Sequence, residues 1–171
     1  MRPLWSDLEH TRDASLLWQR SQRRFTSNVL GPHFEQVCRY WTRHFVPEET
    51  VGGIPLRVET ATVHDVRERA NHQLDVIVFG LVDSGPEPVI AIGEAKWNEV
   101  MSMTHLDRLR HIRGLLTAQG SRPGAAGARL LCFSGAGFTE GLLREAERHA
   151  DVVLIGPAEL YAASVPRAGG S

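Results

Sequence analysis

The chain has 171 residues, 42% of them hydrophobic and 23% charged, with a formal net charge of -1. That suffices to bury one continuous core and excludes wholesale disorder, while the near-neutral balance excludes a polybasic whole-surface nucleic-acid binder, though not a local basic groove. Two cysteines, Cys38 and Cys132, are too few for a disulfide framework or a four-ligand zinc site, so a reducing, cytoplasmic setting is expected.

Residues 1–30 are Arg-rich, with Leu4, Trp5, Leu8, Leu16, Leu17 and Trp18 unevenly spread, and predict an N-terminal helical or linker segment. This stretch has no signal-peptide apolar region, and no run of ~18 apolar residues predicts a membrane-spanning helix. Gly31-Pro32 opens an amphipathic helix in which Phe34, Val37, Cys38, Trp41 and Phe45 form one stripe, ended by Pro47 and Gly52-Gly53. Leu56–Val63 reads as a strand, HDVRERANH as a charged turn, Leu74–Phe79 as a second strand and Pro88–Lys96 as a third. Short turns between them predict a meander whose middle strand is buried on both faces. Asn98–Ala118 reads as a helix, carrying Met103, Leu106, Leu109, Ile112 and Leu116 at the 3–4 spacing. A Gly/Pro loop over 121–127 leads to a strand at Arg129–Ser134, a helix at Thr139–Ala150 capped by Thr139, and a strand at Val152–Ile155. The order α-β-β-β-α-β-α-β predicts an α/β three-layer sandwich around a mixed sheet, parallel in its second half, over residues 31–163, with a frayed tail at 164–171.

Of the 19 basic residues a single one, Lys96, is Lys. Codon usage explains an Arg bias, but a site that needs a compact ammonium also discriminates against the planar fork of Arg. Asp75 lies inside an apolar strand, where a carboxylate is costly unless paired or metal-bound. Glu94 and Lys96 share one face of the next strand by period-2 alternation. If the two strands form a hairpin, Asp75 neighbours Glu94, and Asp, Glu and Lys gather at one edge of the sheet. Two carboxylates with a carbonyl and waters suit Mg²⁺, and an adjacent lysine can orient water or offset charge on a phosphate. The competing reading is a buried salt bridge without chemistry.

The pattern Asp75 … Glu94-Ala95-Lys96, with Glu35 on a preceding helix and a βββαβ order, resembles the PD-(D/E)xK nuclease superfamily. More narrowly, GPHFEQVCRYW, QLDVIVFG, IGEAKW and SGAGFTEGLLREAERHADVVLI are similar to the C-terminal nuclease-like domain of archaeal- and bacterial-type P-loop ATPases, over about residues 28–160. The resemblance implies a restriction-endonuclease-like fold and a metal-dependent (endo)deoxyribonuclease using Mg²⁺ or Mn²⁺. It places the metal-binding acids on Asp75 and Glu94, the backbone ligand on the Ala95 carbonyl, the catalytic lysine on Lys96 and the helical Glu on Glu35. It also implies DNA as substrate and an ATPase domain or subunit as partner, and homodimers are common in such folds. The proline that usually precedes the first Asp is Leu74 here, and no Gly-x-x-x-x-Gly-Lys-Ser/Thr occurs, so any ATPase lies in another chain or in a longer protein. The alternative from another class is an inactive module of the same fold that binds DNA or a protein partner, with the N-terminal Trp5 and Trp18 segment as its docking element.

Glu35 reads equally as a solvated helix residue. Arg67, Arg69 and His72 form either a phosphate-contacting rim or a solvated hairpin, whereas Arg108, Arg110 and Arg113 read as a solvated helix face. Ser134–Thr139 reads as a tight βα turn rather than a nucleotide loop, because the glycine pattern is incomplete. The eight His show no ligand pairs at short spacing, which disfavours zinc. Cys38 and Cys132 read as core residues, and Trp97 as a packing residue on the face opposite Lys96.

Overall fold

The structure, a computed structural model, describes residues 30–162. The expected N-terminal segment and the tail lie outside the described residues, apart from Leu30. Pro32 occupies the first turn of α1 (Gly31–His44), and Phe34, Cys38 and Trp41 form its buried face. Pro47 and Gly52 do not simply end this helix: they bracket a one-turn α2 (Glu48–Val51), closed by Gly52 at φ 80. That left-handed conformation suits glycine.

Three antiparallel strands follow, β1 (Pro55–Asp65), β2 (Ala70–Gly80) and β3 (Val89–Lys96). Then come α3 (Met103–Gln119), a 3₁₀ turn at Ala125–Gly127, β4 (Arg129–Ser134), α4 (Glu140–Arg148), β5 (Val152–Ile155) and α5 (Pro157–Ala162). Sheet order is β1-β2-β3-β4-β5, and the β3–β4 and β4–β5 pairs are parallel. The fold is therefore α/β around a five-stranded mixed sheet, with helices on both faces. On one face α1 packs over Val76, Val78, Ala91, Ala95 and Phe133. On the other, Leu106, Leu109, Ile112 and Leu116 of α3 pack over Leu74, Ile77, Ile92, Leu130 and Cys132. Both cysteines are buried, as expected, and burial pushes the Cys132 thiol up to about 12.

Four expectations are corrected. The charged segment read as one long turn is mostly strand: Asp65 pairs with Ala70, leaving 66–69 as the turn. Asp65 Oδ1 accepts the N–H groups of Arg67 and Glu68 (2.9 and 3.1 Å), a side-chain-built turn that polar alternation does not reveal. The long helix starts at Met103 rather than Asn98, since Ser102 and His105 form a capping box. Ahead of it, buried Met101 bridges to Phe138 in parallel. Thr139 holds the N-cap position of α4 without a side-chain cap hydrogen bond, so the capping itself is absent. The Arg residues of α3 are engaged rather than solvated: Arg110 pairs with Glu145, Arg113 with Asp151 (2.7 Å) and Arg108 with Glu94 (2.9 Å).

The Ser134–Thr139 segment is the tight turn expected. Ser134 Oγ accepts the N–H groups of Ala136 and Gly137, and Gly137 adopts φ 102. A Cβ on Gly135 would lie 2.4 Å from the Trp97 carbonyl oxygen, so only glycine fits that crossing. Trp97 packs on Phe34 with ring centroids 5.2 Å apart, on the face opposite Lys96, as the alternation implied.

Candidate functional site

β2 and β3 pair antiparallel, with Val76 opposite Gly93 and Ile77 opposite Ile92, so the register runs on to set Asp75 beside Glu94. The hairpin inferred from the sequence is therefore present. Its end is built by a side chain: the Ala95 N–H donates to Asp75 Oδ2 at 2.9 Å. A bulge contributes to this arrangement. Glu59 pairs with Ile77 and Ala61 with Leu74, so Asp75 and Val76 together oppose Thr60 of β1. Bulges bend a strand and re-aim its side chains. Leu74 and Ile77 both join the core under α3 while Val76 joins the core under α1. Alternation is broken at Asp75, whose charge is felt by Glu35 and Cys38 of α1.

Glu94 is only 4% exposed and follows Ile92 onto the α3 side. Its Oε1 lies 3.1 Å from Lys96 Nζ, and its Oε2 lies 2.9 Å from Arg108 Nη1. That second contact is an ion pair without hydrogen-bond alignment, so the buried Oε2 has no hydrogen-bond donor. Arg108 is anchored from its other nitrogen, which donates to the Gln73 carbonyl at 2.8 Å. Arg39 of α1 donates to the Asp75 carbonyl at 2.9 Å and lies 4.0 Å from Glu35. Glu35, Asp75 and Glu94 thus share one end of the sheet with Lys96, Arg39 and Arg108.

Burial raises the Asp75 carboxyl above its ordinary range, and the charge of Glu94 adds to this. The Ala95 N–H, Lys96 and Arg108 pull the other way. Glu35 is raised for the same first reason, with Asp75 as the repelling charge and Arg39 and Lys96 opposing. Neither carboxyl is an isolated solvated group. Glu35, which the sequence leaves balanced between a surface residue and a site residue, is half-buried and electrostatically tied to Asp75 and Lys96.

Three hard carboxylates suit a divalent ion, and the undonated Glu94 Oε2 is an oxygen such an ion could take. Two cations already neutralise Glu94, however, and a metal there competes with Arg108. Arg67 and Arg69 lie at the hairpin tip, in the turn beyond Asp65, and Arg69 has φ 52. His72 lies on β2, in contact with different partners from the other site residues.

Those partners were missed by sequence reasoning. Asp65, Glu68, His72 and His111 bring their ligand atoms within 4.8 Å of one another, and this group could hold a metal ion. Among the described residues no other group of three or more His, Cys, Asp or Glu does so, Glu35, Asp75 and Glu94 included. The sequence disfavours zinc because its histidines show no ligand pairs at short spacing; His72 and His111 come from a strand and a helix 39 positions apart, a neighbourhood that close sequence spacing cannot reveal.

No described helix is long and apolar enough to cross a membrane. The chain matches no family model, no curated protein and no solved structure.

Proposed function

We propose that the protein is a metal-dependent nuclease that hydrolyses DNA phosphodiester bonds at the Glu35–Asp75–Glu94–Lys96 end of the sheet. The observation that carries this reading is the Lys96 Nζ contact, 3.1 Å from the buried Glu94 carboxylate, at the end of the sheet where Asp75 and Glu35 also feel these charges. The β-β-β-α-β order with a parallel β3–β4 pair supports it as well, since the PD-(D/E)xK resemblance implies that core.

Asp75 and Glu94, with the Ala95 carbonyl, are the residues that would hold Mg²⁺ or Mn²⁺. Such an ion supplies Lewis acidity toward a phosphoryl oxygen and lowers the pKa of a coordinated water. The chain's own groups do the rest. Lys96, about a third exposed, presents a compact ammonium that can orient the attacking water and offset charge developing on the phosphate. Glu35 has the raised carboxyl of a group suited to accept that water's proton. The Ala95 N–H holds Asp75 in one orientation, which fixes where a ligand oxygen points.

The test is cleavage of labelled duplex, single-stranded and junction DNA in Mg²⁺ or Mn²⁺. Divalent-dependent cleavage is expected, with Lys96→Ala and Asp75→Ala each abolishing it. A wild-type protein inert on every DNA form and metal, or variants that cleave as well as wild type, overturns the assignment.

One observation favours a second reading. Arg108 sits 2.9 Å from Glu94 Oε2 and completes a charge-compensated cluster, the arrangement expected of a catalytically silent module of the same fold that binds DNA or a protein. DNA retention without cleavage, and Mn²⁺ binding indifferent to Glu94→Gln, would select that reading.

A further inference from the structure

A second cluster lies where the tip of the β1–β2 hairpin meets α3. Asp65 ends β1, Glu68 sits in the turn, His72 lies on β2 and His111 on α3, with one ligand atom from each within 4.8 Å of the others. His111 Nε2 reaches Asp65 Oδ2 at 3.0 Å. His72 Nε2 points at the same oxygen from 4.0 Å, beyond hydrogen-bonding range, and is buried without any hydrogen-bond partner. An orphaned buried imidazole nitrogen is costly unless something unseen satisfies it. Two imidazoles, edge to face with 5.2 Å between centroids, turn Nε2 toward one carboxylate oxygen, a donor set suited to a cation.

The carboxylate is pre-oriented for that task. The Arg67 and Glu68 N–H groups occupy Asp65 Oδ1, so Oδ2 is left to face the histidines. Backbone donors of this kind orient metal ligands. The same turn carries Arg69 at φ 52, a left-handed conformation costly for a residue with a side chain. Glu68, exposed like His111, lines a cleft together with Val66, Leu115 and Ala118.

We propose that Asp65, Glu68, His72 and His111 form a transition-metal site of the zinc class, which staples the hairpin to α3. Two imidazoles and two carboxylates make a mixed nitrogen and oxygen set, whereas Mg²⁺ and Ca²⁺ favour oxygen alone. Four protein ligands close a tetrahedral shell, the signature of a structural rather than catalytic ion. Tetrahedral zinc with bonds of about 2.1 Å needs ligand atoms about 3.4 Å apart, so the His111–Asp65 and His72–Asp65 distances bracket the requirement. The site does not depend on the nuclease reading. It bears on it through geometry: His72 is on the strand that carries Asp75, and His111 is one turn beyond Arg108 on α3. The ion would fix that strand against that helix.

The test uses the full chain, stripped with a chelator and titrated with Zn²⁺ by calorimetry and with Co²⁺ by visible absorption. One tight equivalent is expected, with the absorption bands of four-coordinate Co²⁺, and a thermal midpoint that rises with Zn²⁺. His72→Gln and His111→Gln should each weaken binding by more than about a hundredfold and remove the midpoint rise, a larger loss than the roughly 10–100-fold of outer-shell changes. Asp75→Asn and Glu94→Gln should leave both intact, which separates this site from the candidate catalytic one. Circular dichroism checks folding. Should His72→Gln fail to fold, the half-exposed His111 carries the test alone. Zn²⁺ affinity unchanged in His111→Gln, or wild-type protein without a tight equivalent, overturns the proposal.

Discussion

Replacing Arg108 with Ala tests how the buried Glu94 charge is held. The substitution removes the ion pair to Oε2 and the hydrogen bond to the Gln73 carbonyl, and leaves Lys96 as the remaining cation at 3.1 Å. Stripping one partner from a fully buried pair costs about 3–5 kcal/mol, and an exposed pair contributes about 0–1 kcal/mol. Glu94 belongs to the first class, at 5% side-chain exposure, and Arg108 to neither, at 35%. With Lys96 still compensating, the expected loss is about 2 kcal/mol, or about 4–8 °C in Tm for a domain of this size. A double-mutant cycle isolates the cause, measured by urea denaturation in chelator. Glu94→Gln alone should cost about 1 kcal/mol, and Arg108→Ala in the Glu94→Gln background much less than in wild type. The coupling energy should be about 1–2 kcal/mol. If the two losses add to within ~0.4 kcal/mol, Arg108 stabilises the fold through its packing and Gln73, and the electrostatic account of Glu94 is wrong.

Asp75→Asn keeps an acceptor for the Ala95 N–H while removing a buried charge beside Glu94. Because the folded-state carboxyl is raised, stability tied to its protonated form is full below the unfolded value and lost as pH rises through the folded one. The variant should therefore melt higher than wild type at neutral pH in chelator, with the difference vanishing in acid; a lower neutral melting point contradicts this. Asp151 behaves oppositely: the Arg113 hydrogen bond holds its carboxyl low, so its contribution is present above the ordinary carboxylate range and fades as pH falls. Arg113→Ala should flatten that acid limb in a pH series of melting curves, by no more than about 1 kcal/mol for so exposed a pair. Gly135→Ala should destabilise by about 1–3 kcal/mol and shift tryptophan fluorescence, because its Cβ meets the Trp97 backbone. Gly114→Ala, with open space around it inside α3, should instead stabilise by up to about 1 kcal/mol. Equal effects of the two substitutions would remove the steric argument.

The architecture was legible wherever burial wrote itself as an apolar run. Arg129–Ser134 and Val152–Ile155 are strands with the bounds read from the sequence: β4 is an inner strand covered on both faces, and β5, at the sheet edge, is short and apolar throughout. The Asp75, Glu94 and Lys96 neighbourhood was legible because a carboxylate inside such a run is anomalous. The polar half of the hairpin was not, as its strands project beyond the apolar core and carry no hydrophobic alternation. The bulge at Asp75–Val76 was hidden too: one extra residue leaves the composition of a strand unchanged while altering where its side chains point. Arg108, Arg110 and Arg113 looked like a solvated stripe, because helix periodicity reports a face and not what the neighbouring strand presents to it. Long-range pairs of this kind exist only once the sheet has been assembled.

Lys96, the sole lysine of this sequence, stands partly open to solvent at the end of β3. Its isolation makes it a chemical address. Amine-selective reagents have one ε-amino group to modify here, so reductive methylation with a ¹³C label would place a single side-chain reporter next to Glu94. Guanidinium groups, which supply all the other basic side chains, stay silent to the same reagent. Charge changes at Glu94, the arrival of a cation or the approach of a phosphate would then be read as movement of one resonance, against a background that arginine has already cleared.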